Sequence, residues 1–171
     1  MSVRIRPYES RDAGALFEAV VESRAELSRW MDWAHPAYAL SDSRAWIEAA
    51  IAKFAAGREF DFVIERAGRF TGGCGLNDVA EGSHRANLGY WVRTSAARSG
   101  VASAAAEELA RWAWANTELS RLEVVVDVDN AASLRVAEKV GAVREGVLRR
   151  RIRTHGVLRD AVMHALLRPG A

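Results

Sequence analysis

Two short stretches carry residue types whose spacing suits them to chemistry. At Arg98-Ser99-Gly100-Val101-Ala102 a glycine and small residues open a helical pattern just behind a strand and a short loop, which leaves several backbone N–H groups without intrahelical partners. Such a turn can hold a pyrophosphate. Gly100 and Ala102 permit close approach, Arg98 supplies charge, and the helix dipole adds a modest share. A plain small-residue helix start would look the same. At the second junction, Asp129-Asn130-Ala131-Ala132-Ser133, Asn130 is a natural N-cap and Ser133 sits near the third helical position, so both side chains can face the strand ends. Capping alone accounts for Asn130, and Ser133 could equally sit on the helix surface.

These junctions need strands and helices to place them, and hydrophobic periodicity supplies both. Val3 and Ile5 alternate with arginines in a first strand that ends at Pro7. Apolar residues at helical spacing predict a helix from Ala13 to Leu27 and a second from Ser43 to Ala56, behind the capping-type residues Ser41 and Asp42 and before Gly57. The stretch from Trp30 to Pro36 between them is too aromatic for a solvated linker and too broken by Pro36 for a helix. A hairpin is predicted from Phe60 to Glu65 and Arg69 to Leu76, turning at Gly68. A polar turn at Glu81 to Ser83 leads to a central strand, Ala86 to Val92, in which Gly89 suggests a bulge. A helix over Val101 to Ala115, a strand over Leu122 to Val126, a helix over Ala131 to Val140 closed by Gly141, and two strands, Val143 to Arg151 and Val157 to Leu167, complete the order β, α, α, β, β, β, α, β, α, β, β.

Composition narrows the function classes. The 171 residues make one domain's worth, and half are apolar, enough for a core without staples; a single domain over 1–171 is expected. The formal charge of +2, from 24 basic and 22 acidic residues, gives little support for nucleic-acid binding, despite the arginines between Arg149 and Arg153. The lone Cys74 cannot form an internal disulfide, no apolar run approaches a membrane span, and Met1 to Tyr8 lack an apolar signal core, so a cytoplasmic protein without a membrane partner is expected. The four histidines show no metal spacing. Cys74, between glycines on a strand with no histidine suitably spaced, reads as a small buried hydrophobe and not a nucleophile.

Taken together, the order of elements and four stretches resemble the GNAT superfamily of N-acetyltransferases, and within it the RimJ/RimL group that acetylates ribosomal proteins. The stretches are Leu27 to Trp33 with Pro36; Asn87-Leu88-Gly89-Tyr90-Trp91-Val92; Arg98 to Ala102; and Asn130 to Ser133 continued by Val136, Glu138, Lys139, Gly141, Glu145-Gly146 and Asp160. The resemblance implies an α/β (α+β) fold with a central mixed, mostly antiparallel sheet, a V-shaped splay between the fourth and fifth strands, and helices on both faces. It implies that acetyl-CoA, as cosubstrate and with no metal, lies in that splay. Main chain of Leu88, Gly89, Tyr90, Trp91 and Val92 would bind pantetheine and the acetyl carbonyl; N–H groups of Arg98, Ser99, Gly100, Val101, Ala102 and Ser103 would hold the pyrophosphate; Asn130 would fix the pantetheine arm. Trp30, Trp33, His35, Tyr38 and Asn87 would line the acceptor side, although Trp30 equally suits a core staple. A homodimer is left open.

Departures from the family pattern bear on mechanism. Ala97 stands where the turn often begins with Gln or Arg, and Asn87 stands where a glutamate is common, so no general base is assigned. Asp78, Glu81 and His84 precede that strand and could act through water, although a charged loop is usually only solvated. Ala137 occupies the place of the superfamily's tyrosine, while the resemblance to the RimL-like group, which has a serine at the place of Ser133, implies Ser133 as the acid for the departing thiolate. Without a base, a partly neutral α-amine of pKa about 7.7 to 8.0 is favoured over lysine at about 10.4. The expected activity is acetyl transfer to a protein or peptide N-terminus by direct attack. A small-molecule amine acetyltransferase and a silent acetyl-CoA-binding module are the alternatives.

Overall fold

The computed structural model describes residues 2–170, built on a seven-stranded sheet in the order β1-β2-β3-β4-β5-β7-β6. The elements are β1 (Val3–Pro7), α1 (Ala13–Leu27), α2 (Leu40–Ala55), β2 (Phe60–Arg66), β3 (Arg69–Ala80), β4 (Arg85–Val92), α3 (Val101–Asn116), β5 (Arg121–Asp127), α4 (Ala131–Lys139), β6 (Val143–Thr154) and β7 (Val157–Leu167). The order matches the sequence reading, with short 3-10 turns added between elements. Every strand pair is antiparallel except β4 with β5.

Alternation along β2 divides the core in two. Phe62 and Ile64 join a cluster under α3 that includes Leu76, Leu88, Val101, Leu109, Leu122 and Val124, while Val63, pointing the other way, packs with Tyr8, Leu16, Val20 and Ile47 under α1 and α2. The helices therefore cover both faces. No helix is long and apolar enough to cross a membrane among the described residues.

Three boundaries differ from expectation for identifiable reasons. α2 begins at Leu40, because Asp42 Oδ2 accepts from the Ala39 N–H at 2.7 Å and closes a turn three residues ahead of Ser43. Gly89 makes no bulge: it pairs with Gly75 in unbroken register, and the irregularity falls between Asn77 and Ala80, where Asp78 has a φ of 50°. β6 runs to Thr154, past a register shift between Leu148 and Ile152.

The parallel pairing of β4 with β5 covers only Arg85, Ala86 and Asn87 against Arg121, Leu122 and Glu123. Beyond Asn87 the strands part. Leu122, fully buried at this fork, anchors it. Leu122→Ala should cost about 2 to 5 kcal/mol through lost burial and the cavity left behind, measured as a lower denaturant midpoint with the m-value unchanged.

Candidate active site

The fork leaves one edge of β4 unpaired, and sheet geometry dictates which groups it offers. The Arg93 N–H donates to Thr71 O at 2.8 Å, and hydrogen-bonded pairs alternate along an antiparallel ladder, so Trp91 and Gly89 spend their N–H and C=O on β3. Leu88, Tyr90 and Val92 turn theirs into the fork. A charge developing on a carbonyl oxygen there would meet N–H donors already in place.

At the mouth of the fork lies the turn before α3. Arg98 and Gly100 hold φ of 58° and 79°, and the first helical bond runs from the Ala104 N–H to Gly100 O at 3.1 Å, so the N–H groups of Val101, Ala102 and Ser103 precede the ladder. Arg98 is exposed. The sequence reading passed over a second cation: Lys139, at the end of α4, places its Nζ 3.9 Å from where a β-carbon on Gly100 would stand. Amides, helix terminus and ammonium together suit a pyrophosphate.

Asn130 caps α4, its Oδ1 accepting from the Ser133 N–H at 3.1 Å. Ser133 faces Tyr90: the phenol donates to Ser133 O at 3.1 Å and lies 3.0 Å from Ser133 Oγ. The phenol has one proton and two acceptors within reach; when it donates to Ser133 Oγ, the serine hydroxyl proton is left free to point into the fork. Burial raises the Tyr90 pKa and the serine bond opposes it, so the phenol is neutral at ordinary pH. This side-chain role for Tyr90 was hidden in the sequence, where only its main chain was considered. Ala137 is fully buried against the α3 cluster.

On the α1/α2 side of β4 opens a cavity of about 490 Å³, walled by Trp33, His35, Tyr38 and Trp46 and floored by Gly73, Gly75 and Gly89. Trp33 stacks edge-on against Trp91 with centroids 5.7 Å apart. Trp30 is not on this wall; it lies under the Arg29 guanidinium, 5.5 Å from its ring centroid. Asn87 reaches the rim through Asn77, donating from Nδ2 to Oδ1 at 2.9 Å. The aromatic loop is held from an unexpected quarter. At the tip of the β6–β7 hairpin, the His155 N–H donates to Asp32 Oδ1 at 2.7 Å and its Nε2 lies 2.5 Å from Ser28 O.

Of the residues considered as bases, Asp78 is paired with Arg85 at 3.1 Å and His84 Nδ1 lies 3.0 Å from Glu118 O; neither lines the cavity, and the Glu81 side chain lies outside the described residues. Cys74 is buried, with its thiol pKa pushed far up by desolvation. The cavity instead holds Asp61, a residue of β2 that the sequence did not single out for the site. The available signal was the pair Gly73 and Gly75 on the next strand, whose missing side chains make room for Tyr8 and Asp61.

Comparison with known proteins settles the family. The model of the acetyltransferase (GNAT) domain matches residues 2–143. The chain belongs to the GNAT acetyltransferase family. A ribosomal-protein-serine acetyltransferase of Escherichia coli is 24% identical over 134 residues, covering 78% of this chain and 75% of that protein. YdaF of Bacillus subtilis, provisionally named a ribosomal N-acetyltransferase, is 26% identical over 167 residues, 97% of this chain and 91% of that one. Among solved structures, Mycobacterium smegmatis RimJ in complex with CoA-disulfide superposes with a TM-score of 0.89 at 30% identity, covering 96% of this chain and 81% of that one. RimL, a ribosomal-protein alpha-N-acetyltransferase in complex with coenzyme A, superposes at 0.91 over 98% of this chain and 94% of that one at 22% identity, a likeness of fold.

For this GNAT acetyltransferase the Lys139 ammonium has a measurable consequence. Lys139→Ala should raise the Kd for coenzyme A about 3- to 10-fold, the loss of one charge-assisted phosphate contact, and the difference should shrink in high salt. Equal affinities by calorimetry at low ionic strength would place the phosphates elsewhere.

Proposed function

We propose that this enzyme transfers the acetyl group of acetyl-CoA to the α-amino group of a protein or peptide, in the manner of RimJ and RimL. One observation carries the reading: the fork, with its free N–H donors on Tyr90 and Val92, and the cavity, with room for an acceptor, meet at the same three residues, Gly89 to Trp91. Two reactants entering from opposite sides of β4 would be brought together there, which is the larger part of the acceleration direct transfer needs. Relatives named for ribosomal-protein acetylation span most of the chain, which favours a protein acceptor.

Acetyl-CoA supplies an activated acyl group and a thiolate leaving group. This chain's residues do the rest. The turn at Arg98 to Ser103, with Lys139, holds the phosphates; the unpaired main chain of β4 aligns the pantetheine; the Tyr90 N–H receives the negative charge that grows on the carbonyl oxygen. Ser133, supported by the Tyr90 phenol at 3.0 Å, passes a proton to the departing sulfur. Ser133→Ala should lower kcat by about 10- to 100-fold with coenzyme A affinity retained, modest because a thiolate leaves readily. Tyr90→Phe should cost less, and the double variant no more than Ser133→Ala alone, since one proton path is being cut.

The acceptor class is tested by a panel of peptides with different N-terminal residues, the same peptides with blocked termini and a free lysine, and small amines. At pH 7 roughly a tenth of an α-amine is neutral, against about one lysine in two to three thousand, so α-amine acetylation should dominate. Preference for lysine, or for a small amine over every peptide, contradicts the reading.

A further inference from the structure

The cavity beside β4 contains a carboxylate, Asp61, that has no ion pair among the described residues. Asp61, Gly75 and Gly89 form one row across β2, β3 and β4, and all three face the cavity. Asp61 leans along this row toward the fork: a methyl on Gly75 would overlap its Oδ1. With strands about 4.8 Å apart, a carboxylate standing over the middle strand lies one amine, or one amine and a water, from the open face of Gly89. Packing does not demand a glycine at 89, since the nearest heavy atoms to a β-carbon there, Nδ2 of Asn77 and of Asn87, are 3.9 Å away. The free space is a floor. It is bounded on one side by the Asn77–Asn87 pair and on the other by Trp91 and Tyr8 over Gly73.

We propose that Asp61 is the base that takes the proton from the acceptor amine as its nitrogen attacks the thioester. The proposal rests on the acetyl-transfer reading above and supplies the base that Asn87 cannot be. As the C–N bond forms, one N–H proton of the neutral amine passes to an Asp61 oxygen. The C–S bond breaks with its electron pair on sulfur, which takes the Ser133 proton. Asp61 then releases its proton to solvent while Ser133 regains one.

The surroundings suit this role. Lys53, a cation of the cavity lining, is engaged by Glu59 at 2.7 Å, Tyr8 and Cys74 are held neutral by burial, and Asp42 and His35 stand on the wall. Desolvation, with Glu59 adding to it and Lys53 opposing, raises the Asp61 pKa from 3.8 to about 6, which leaves it ionised but basic at neutral pH. Glu123, on β5, is paired with Arg121 at 2.9 Å and Arg85 at 3.4 Å and does not line the cavity. Buried Tyr8 has a hydroxyl with no hydrogen-bond partner among the described residues, one row from Asp61, placed to donate to a carbonyl of the bound acceptor.

The test compares wild type with Asp61→Asn, using the amine each assay turns over fastest. For wild type, log kcat/KM should rise with a slope near one toward the amine's own pKa, and steepen toward two below about pH 6 as Asp61 protonates. Asp61→Asn should keep a slope of one throughout, with kcat/KM at pH 7.5 lower by about 100- to 1,000-fold and coenzyme A affinity unchanged. Because the folded-state pKa is raised, ionising Asp61 costs stability as pH rises from 3.8 to about 6, so the variant's Tm at pH 7.5 should equal or exceed wild type, which separates a chemical loss from a folding loss. Gly89→Ala, which fills the floor, should likewise keep its Tm and lose activity. Persistence of the steepening below pH 6 in Asp61→Asn, or wild-type kcat/KM in that variant, overturns the proposal. An upper limb near the lysine pKa in wild type would instead overturn only the N-terminal acceptor.

Discussion

The parting of β4 from β5 after three paired residues is the constraint from which the rest of this site follows. A sheet interior normally satisfies every main-chain donor and acceptor, and an unpaired row costs free energy unless something else pairs with it. Here the row on Leu88, Tyr90 and Val92 opens into a fork instead of another strand. The turn before α3 and the cap of α4 are both brought to the same fork, since each helix follows a strand that borders it. The fork therefore offers main-chain groups of β4, the helix start after Gly100 and the Lys139 ammonium to one space.

On the other face the same strand presents glycine. A side chain at 89 would fit sterically, yet none is there, and its neighbours Gly73 and Gly75 are filled from the side by Tyr8 and Asp61. The arrangement costs packing and buries a carboxylate whose pKa rises to about 6. A destabilising group kept in a cavity, without an ion pair of its own among the described residues, is the pattern expected where chemistry, not stability, sets the residue.

Much of this was legible in the chain. Periodicity located the eleven main elements because each is long enough to show its period, and α1 matched its expected bounds from Ala13 to Leu27. The glycine turn before α3 and the Asn130 cap were legible because they are local, set by residues a few positions apart. What escaped was non-local. The Lys139 ammonium at Gly100, His155 holding the aromatic loop, Tyr90 on Ser133 and Asp61 over Gly75 all join residues far apart in sequence, and register decides them. Gly89 was misread as a bulge because a glycine in a strand signals either a kink or a close approach, and only the pairing tells which.

The central claim is that ligand recognition runs through the free edge of β4 and the turn before α3. Amide hydrogen exchange, with and without coenzyme A, tests it residue by residue. Binding should slow exchange at Tyr90, Val92 and Val101 to Ser103, while Gly89 and Trp91, already bonded to β3, change little. Saturation with coenzyme A that leaves Tyr90 and Val101 to Ser103 exchanging as in the free protein would contradict the account.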